Sequence, residues 1–137
     1  MKEITIKQVR PEDTWPIRHE VMWPDRPLAY VQLPEDTQGQ HYGLLVEQKL
    51  VSVVSLFVKG RSGQLRKFAT LESEQGKGYG SQLLSWLFKE AKAQGIQRIW
   101  CNARVSKLDF YTKFGLQATK NTFSKGGIDY AIVAAPL

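Results

Sequence analysis

Apolar residues recur along the chain in two rhythms, every second position or every third and fourth, and the switches between them lay out the elements. Ile4 and Ile6 alternate with polar neighbours, which predicts a strand over residues 3–9. Pro11-Glu12-Asp13 opens a helix to about Val21, its acidic residues suited to the positive end of the helix dipole, and Trp23-Pro24 stops it. Residues 24–40 hold three prolines and little periodicity, so they read as irregular chain or a short helix. Residues 41–47 and 50–58 are rich in apolar and β-branched residues; Gln48-Lys49 between them gives the spacing of a tight hairpin without its favoured Asn or Gly. Gly60 to Gly63 predicts a second turn, residues 64–71 a third strand, and residues 72–80 a polar, glycine-rich loop.

From Gly80 to Gln94, Leu83, Leu84, Leu87, Phe88 and Ala91 mark one face of a helix, a core stripe, and Gly95 stops it. Ile96 to Ala103 reads as a strand. Ser106 to Lys113 reads as a short helix, with Ser106 as its N-cap and Asp109 at its third position. Phe114-Gly115-Leu116 ends that helix, and residues 116–123 and 128–134 form two strands joined by Ser124-Lys125-Gly126-Gly127. The order predicts a mixed sheet flanked by helices, in which the strands before and after the long helix run parallel.

Length and charge narrow the function. The 137 residues, 42% of them hydrophobic, fit one domain over 1–137. A single cysteine excludes a disulfide framework or a Cys-cluster zinc site, and no metal is expected. The richest apolar stretch, Leu44 to Val58, is broken by Glu47, Gln48 and Lys49, so no membrane span is expected. Met1-Lys2-Glu3-Ile4 lacks a signal-peptide apolar core, which makes a cytoplasmic location the expectation. The net charge of +6 is uneven: residues 1–58 carry six Lys/Arg and eight Asp/Glu, residues 59–137 thirteen and five. An anionic partner therefore belongs to the second half, although a solvated lysine-rich surface has the same composition.

Gln75-Gly76-Lys77-Gly78-Tyr79-Gly80 sits between a strand and an amphipathic helix. Its glycines permit positive φ and close approach, and the helix start adds unpaired N–H groups: an anion nest suited to a pyrophosphate. A P-loop reading fails because Lys77 precedes Gly78 and not Ser or Thr. A Rossmann reading fails because the loop follows three antiparallel strands. The spacing Gln-x-x-Gly-x-Gly, carried by Gln75, Gly78 and Gly80, resembles the acyl-coenzyme A signature of the GNAT superfamily of N-acetyltransferases. A second stretch is similar to the family's next motif: Asn102-Ala103-Arg104, then Phe110-Tyr111-Thr112-Lys113-Phe114-Gly115-Leu116. The resemblance covers about residues 41–134, and the element order fits over the whole chain.

The resemblance implies an α/β (α+β) fold: a largely antiparallel mixed sheet flanked by helices, with a splayed parallel strand pair at the coenzyme site. It implies acetyl-CoA as co-substrate and acetyl transfer to a primary amine of a small molecule or protein by direct attack in a ternary complex. Phe68, Ala69 and Thr70 would pair with the pantetheine arm like an added strand, and an N–H near Phe68 or Ala69 would polarise the acetyl carbonyl. The amides of Gln75, Gly76, Lys77, Gly78, Tyr79 and Gly80 would hold the pyrophosphate. Lys77, Arg104, Lys107 and Lys113 are available to the phosphates, and Asn102 either bonds the pantetheine or caps the local turn. Tyr111 would stand near the coenzyme sulfur as general acid; its residues alone read as a core aromatic beside Phe110 and Phe114.

The proton on the attacking amine needs an acceptor, because an alkyl ammonium has a pKa of roughly 10. Glu72 is the catalytic candidate, with Glu74, His41 and water relays beside it; as residues, the two Glu read as solvated charges and His41 as structural. Arg18, His19, Trp23 and Arg26 are candidates to line an acceptor pocket, as an ordinary basic helix face would also predict. Cys101 reads as a buried structural thiol. Partners expected are acetyl-CoA and an amine, with a homodimer open, and no nucleic acid or membrane. The rival readings are a catalytically silent acyl-CoA-binding module, transfer of another acyl group, and a nucleic-acid binder resting only on the basic second half.

Overall fold

The computed structural model describes residues 2–137. Seven strands form one sheet: β1 (Ile4–Val9), β2 (Gln40–Val46), β3 (Lys49–Lys59), β4 (Ser62–Thr70), β5 (Arg98–Arg104), β6 (Gln117–Lys125) and β7 (Ile128–Pro136), in spatial order β1-β2-β3-β4-β5-β7-β6. Each neighbouring pair is antiparallel except β4 and β5. Three helices accompany them: α1 (Pro11–Met22), α2 (Tyr79–Ala93) and α3 (Leu108–Thr112). The expected mixed sheet and its parallel pair are thus present.

Period-2 alternation sorts the side chains between two faces. Val54 joins Leu44, Leu56, Leu65 and Ile99 under the α2 stripe of Leu83, Leu84, Leu87 and Ala91, all buried. Its neighbour Val53 turns the other way and meets Ile17 of α1 and Ala69 of β4. α1 begins where expected, with the Asp13 carboxylate accepting the Arg10 amide at 3.0 Å. The irregular stretch resolves into two 3-10 helices, Leu28–Val31 and Pro34–Gln38.

Two local expectations are corrected. The first hairpin turns at Glu47-Gln48, with φ of 48° and 69°, and Lys49 already belongs to β3. Register forces both residues into the left-handed region, which side chains other than Gly or Asn adopt at a cost. Ser106 is not an N-cap: the chain tightens into a 3-10 turn, Val105–Lys107, and α3 starts at Leu108 after Lys107 with no side-chain cap.

Candidate functional site

The central feature is a divergence. β4 and β5 pair only at Ser62↔Arg98, Gly63↔Ile99 and Gln64↔Trp100. Beyond that point β4 continues along β3 to Thr70, and β5 continues along β7 to Arg104. A wedge opens between two parallel strands, each edge lined by main-chain groups that have no strand partner across the gap.

A bulge sharpens the divergence. Val53 pairs with Ala69 but Ser55 pairs with Arg66, so β4 carries one residue more than β3 in this interval. Lys67 takes it up with a φ of 54°. Such an insertion bends its strand and increases the local twist.

The glycine loop closes the wide end of the wedge. β4 passes through a 3-10 turn, Glu72–Glu74, into α2, whose N-cap is Gly78 at φ 84°. Gln75 braces the turn by donating from Nε2 to the Thr70 carbonyl at 2.9 Å. Lys77 reaches Glu74 at 3.1 Å, an exposed pair that water and salt weaken. No side chain caps α2, so the N–H groups of its first turn have no partner within the helix and aim at whatever lies before it.

The glycines of the motif do different work. A Cβ on Gly78 would meet nothing within 4 Å, so the space in front of it is open to a ligand. A Cβ on Gly80 would stand 2.8 Å from the Phe68 ring and 3.3 Å from Thr70 Oγ1. Gly80 is there so that α2 can pack against β4.

Around the wedge the candidates separate clearly. Phe68 stacks on Phe110 of α3 with ring centroids 5.7 Å apart, tying β4 to α3 across the gap. Ala69 buries its methyl under α1, and the Thr70 hydroxyl is taken by Ser52 at 2.8 Å, so both offer a ligand mainly backbone. Tyr79 sinks its ring into the core and likewise offers its amide. Asn102, Arg104, Lys107 and Lys113 are exposed, on β5 and around α3. Glu72 is exposed on the turn after β4.

Tyr111 packs edge-on against Phe110 at 5.4 Å, and its hydroxyl faces the Cys101 thiol on β5. Burial raises the tyrosine pKa well above its ordinary value, and the thiol adds to the effect. Burial likewise pushes Cys101 up to about 12, so it stays a neutral thiol. The sulfur is therefore structural, and the phenol keeps its proton at neutral pH, while the same burial makes it a weaker acid than a free tyrosine.

Burial removes two candidates, and for His41 it agrees with the structural reading of that residue. His41 is buried, with Nε2–H donating to the Asp36 carbonyl at 2.7 Å and Nδ1 2.7 Å from the Ser55 hydroxyl; with both nitrogens held, it is a strut and not a base. Arg18 is fully buried and lines no pocket. It grips Asp36 through two bonds of 2.8 and 3.1 Å, and also reaches the Val31 carbonyl and Ser55. Burial works against the Asp36 carboxylate, but hydrogen bonds from Arg18, the Leu33 amide and the Trp15 indole outweigh it and hold its pKa below the ordinary value. The network fastens both 3-10 helices to the sheet. His19, Trp23 and Arg26 do meet on the surface: His19 donates to the Arg26 carbonyl, and Trp23 and Arg26 pack on Tyr30 at 5.1 and 5.2 Å.

Among the described residues no group of His, Cys, Asp and Glu is arranged to hold a metal, and no helix is long and apolar enough to cross a membrane. Nothing in the sequence signals the bulge at Lys67, because no residue pattern announces one there.

Comparison with known proteins bears on this geometry. The sequence profile of the acetyltransferase (GNAT) family matches residues 8–116. An uncharacterized N-acetyltransferase of Bacillus subtilis, YitI, is 30% identical over 139 residues, covering 95% of this chain and 93% of its own. The ribosomal-protein-S18-alanine N-acetyltransferase from Escherichia coli superposes with a TM-score of 0.79 at 19% identity, over 98% of this chain and 94% of that one. A GNAT family acetyltransferase from Elizabethkingia anophelis with acetyl-CoA bound gives 0.76 at 18% identity, over 98% of both chains. At such identities these structures share the fold.

Proposed function

Because the chain belongs to the acetyltransferase (GNAT) family, we propose that it moves an acetyl group from acetyl-CoA to a primary amine by direct attack in a ternary complex. The observation that carries this reading is the wedge between β4 and β5 with the open, uncapped start of α2 at its wide end. An extended chain ending in a pyrophosphate fits both parts at once. The relative from Elizabethkingia anophelis, of the same fold, has acetyl-CoA bound.

We assign the roles by position. The amides from Gln75 to Gly80 receive the diphosphate, with Lys77, Lys107 and Lys113 supplying charge. The backbone of Phe68, Ala69 and Thr70 pairs with the pantetheine arm, and Asn102 borders it from β5. An N–H of Phe68 or Ala69 polarises the carbonyl, a contribution of about 3 kcal/mol for one well-placed donor. The co-substrate supplies an activated acetyl thioester. The amine nitrogen forms the new bond to the carbonyl carbon as the bond to sulfur breaks. Glu72, directly or through water, takes the proton that the ammonium must lose before attack; Tyr111 gives its proton to the departing thiolate, and the second proton, shed by the nitrogen as the amide forms, restores the phenol.

The test is thiol release from acetyl-CoA with a panel of amines, alongside thermal unfolding with and without acetyl-CoA. Stabilisation together with amine-dependent thiol release is expected. Stabilisation without turnover of any amine would leave only a binding module, and neither effect would overturn the reading.

A further inference from the structure

The bulge in β4 places Lys67 in an unfavourable position. Its backbone is left-handed, a region lysine rarely adopts, and its side chain is half-buried. Among the described residues its ammonium makes no ion pair or hydrogen bond. Arg66 beside it is engaged, pairing with Glu35 and lying over the Phe57 ring at 5.3 Å. Burial lowers the Lys67 pKa, and the charges of Arg66, Arg18 and Lys125 act in the same direction. Asp36 alone opposes them, and its carboxylate is already bound by Arg18, Trp15 and the Leu33 amide. A strained backbone and a half-buried ammonium without a partner among the described residues mark Lys67 as a cation held beside the wedge and available to a bound anion.

The location says which ligand would meet it. Lys67 lies three residues before Thr70, about 10 Å back along β4 from the glycine loop. The coenzyme phosphates belong at that loop and do not reach it. The neighbours also differ. Phe68, Phe110 and Tyr111 pack with the α2 core, whereas Lys67 shares the alternate face of β4 with Ala69, which lies against Ile17 of α1; the charges of Arg18, Asp36 and Lys125 act on it from that side. Lys67 thus faces the side of the wedge left to the amine.

Resting on the acetyl-transfer reading above, we propose that the acceptor is a small acidic amine, one carrying a carboxylate or phosphate near its amino group. Lys67 binds that anion, and Lys125 adds long-range attraction. The arrangement sets specificity: the anion anchors the acceptor while its amine enters the wedge.

The experiment uses amines in matched pairs: 4-aminobutyrate against its carboxamide, and phosphoethanolamine against ethanolamine. They are assayed by thiol release with wild type, Lys67→Gln and Lys67→Arg, and acetyl-CoA-dependent thermal stabilisation is followed in each. Wild type is expected to favour at least one acidic member over its neutral mate at least tenfold in kcat/KM. Lys67→Gln should bring that ratio near one, chiefly through KM, while Lys67→Arg retains it and all three keep the coenzyme response. Should Lys67→Gln fail to fold, KM of the acidic member in wild type should rise with salt while that of the neutral mate stays level. Equal use of both members, or coenzyme binding with no acidic amine turned over, overturns the inference alone. Absence of any acetyl-CoA response in wild type overturns the acetyl-transfer reading and this inference with it.

Discussion

Replacing Gly78 with alanine separates backbone strain from ligand approach. The residue has a φ of 84°, and an added Cβ meets nothing within 4 Å, so sterics contribute nothing in the free protein. Left-handed backbone costs a Cβ-bearing residue about 1–2 kcal/mol. The loss of glycine's freedom in the unfolded chain offsets about 0.4–1 kcal/mol of that. The net destabilisation is about 0.5–1 kcal/mol, a Tm drop of about 2–5 °C for a chain of this size. Gly126, in the β6–β7 turn with a φ of 60° and nothing within 4 Å, provides the control with the same intrinsic cost. Acetyl-CoA at a hundred times its Kd should add about 2.7 kcal/mol to either folded protein if its site is intact. A methyl where the diphosphate meets the Gly78 amide should weaken binding tenfold or more, removing about 1.4 kcal/mol of that increment. Differential scanning fluorimetry with and without acetyl-CoA reads both effects. Gly78→Ala should lose at least half of the coenzyme-induced rise in Tm, and Gly126→Ala should keep all of it. Equal rises in the two variants would refute the placement of the diphosphate at the start of α2.

Other consequences are direct. Tyr111→Phe should lower turnover while leaving acetyl-CoA binding intact, and an unchanged kcat at saturating substrate would remove Tyr111 from the reaction. Asp36→Asn leaves Arg18 buried without its counter-charge and should cost about 3 kcal/mol or more, seen in urea unfolding; a loss under 1 kcal/mol would contradict the network described. The Asp36 pKa is held below its ordinary value in the fold. Its contribution is therefore complete above the unfolded pKa of about 3.9 and fades as pH falls through the lower folded value, so acid unfolding should be less steep in Asp36→Asn. Leu84→Ala, at the centre of the α2 stripe with no exposure, should cost about 2–5 kcal/mol by chemical denaturation.

Most of the fold could be read from periodicity because burial enforces it. The α2 stripe and the alternation of β3 are demanded by the sheet they cover, and the parallel β4–β5 pair follows from the helix between them. Elements held by backbone geometry left weaker traces. Glu47-Gln48 turns a hairpin against its residue preference because strand register requires it there, and the short 3-10 turn before α3 displaces the cap that Ser106 promised. The site was legible where glycine marks a loop, yet the sequence did not distinguish Gly78, open to solvent, from Gly80, pressed against Phe68. Arg18 looked like a surface cation because its counter-charge, Asp36, lies in another element, and no local spacing links the two. Lys67 was silent for the same reason: the strain at a bulge exists only once β3 and β4 have paired.

Titration calorimetry of the purified chain with acetyl-CoA reaches the central claim most directly. One binding site per chain, weakened tenfold or more by Gly78→Ala and untouched by Gly126→Ala, is the predicted result. Absence of heat at millimolar coenzyme, or affinity indifferent to Gly78, would contradict the assignment of the β4–β5 wedge.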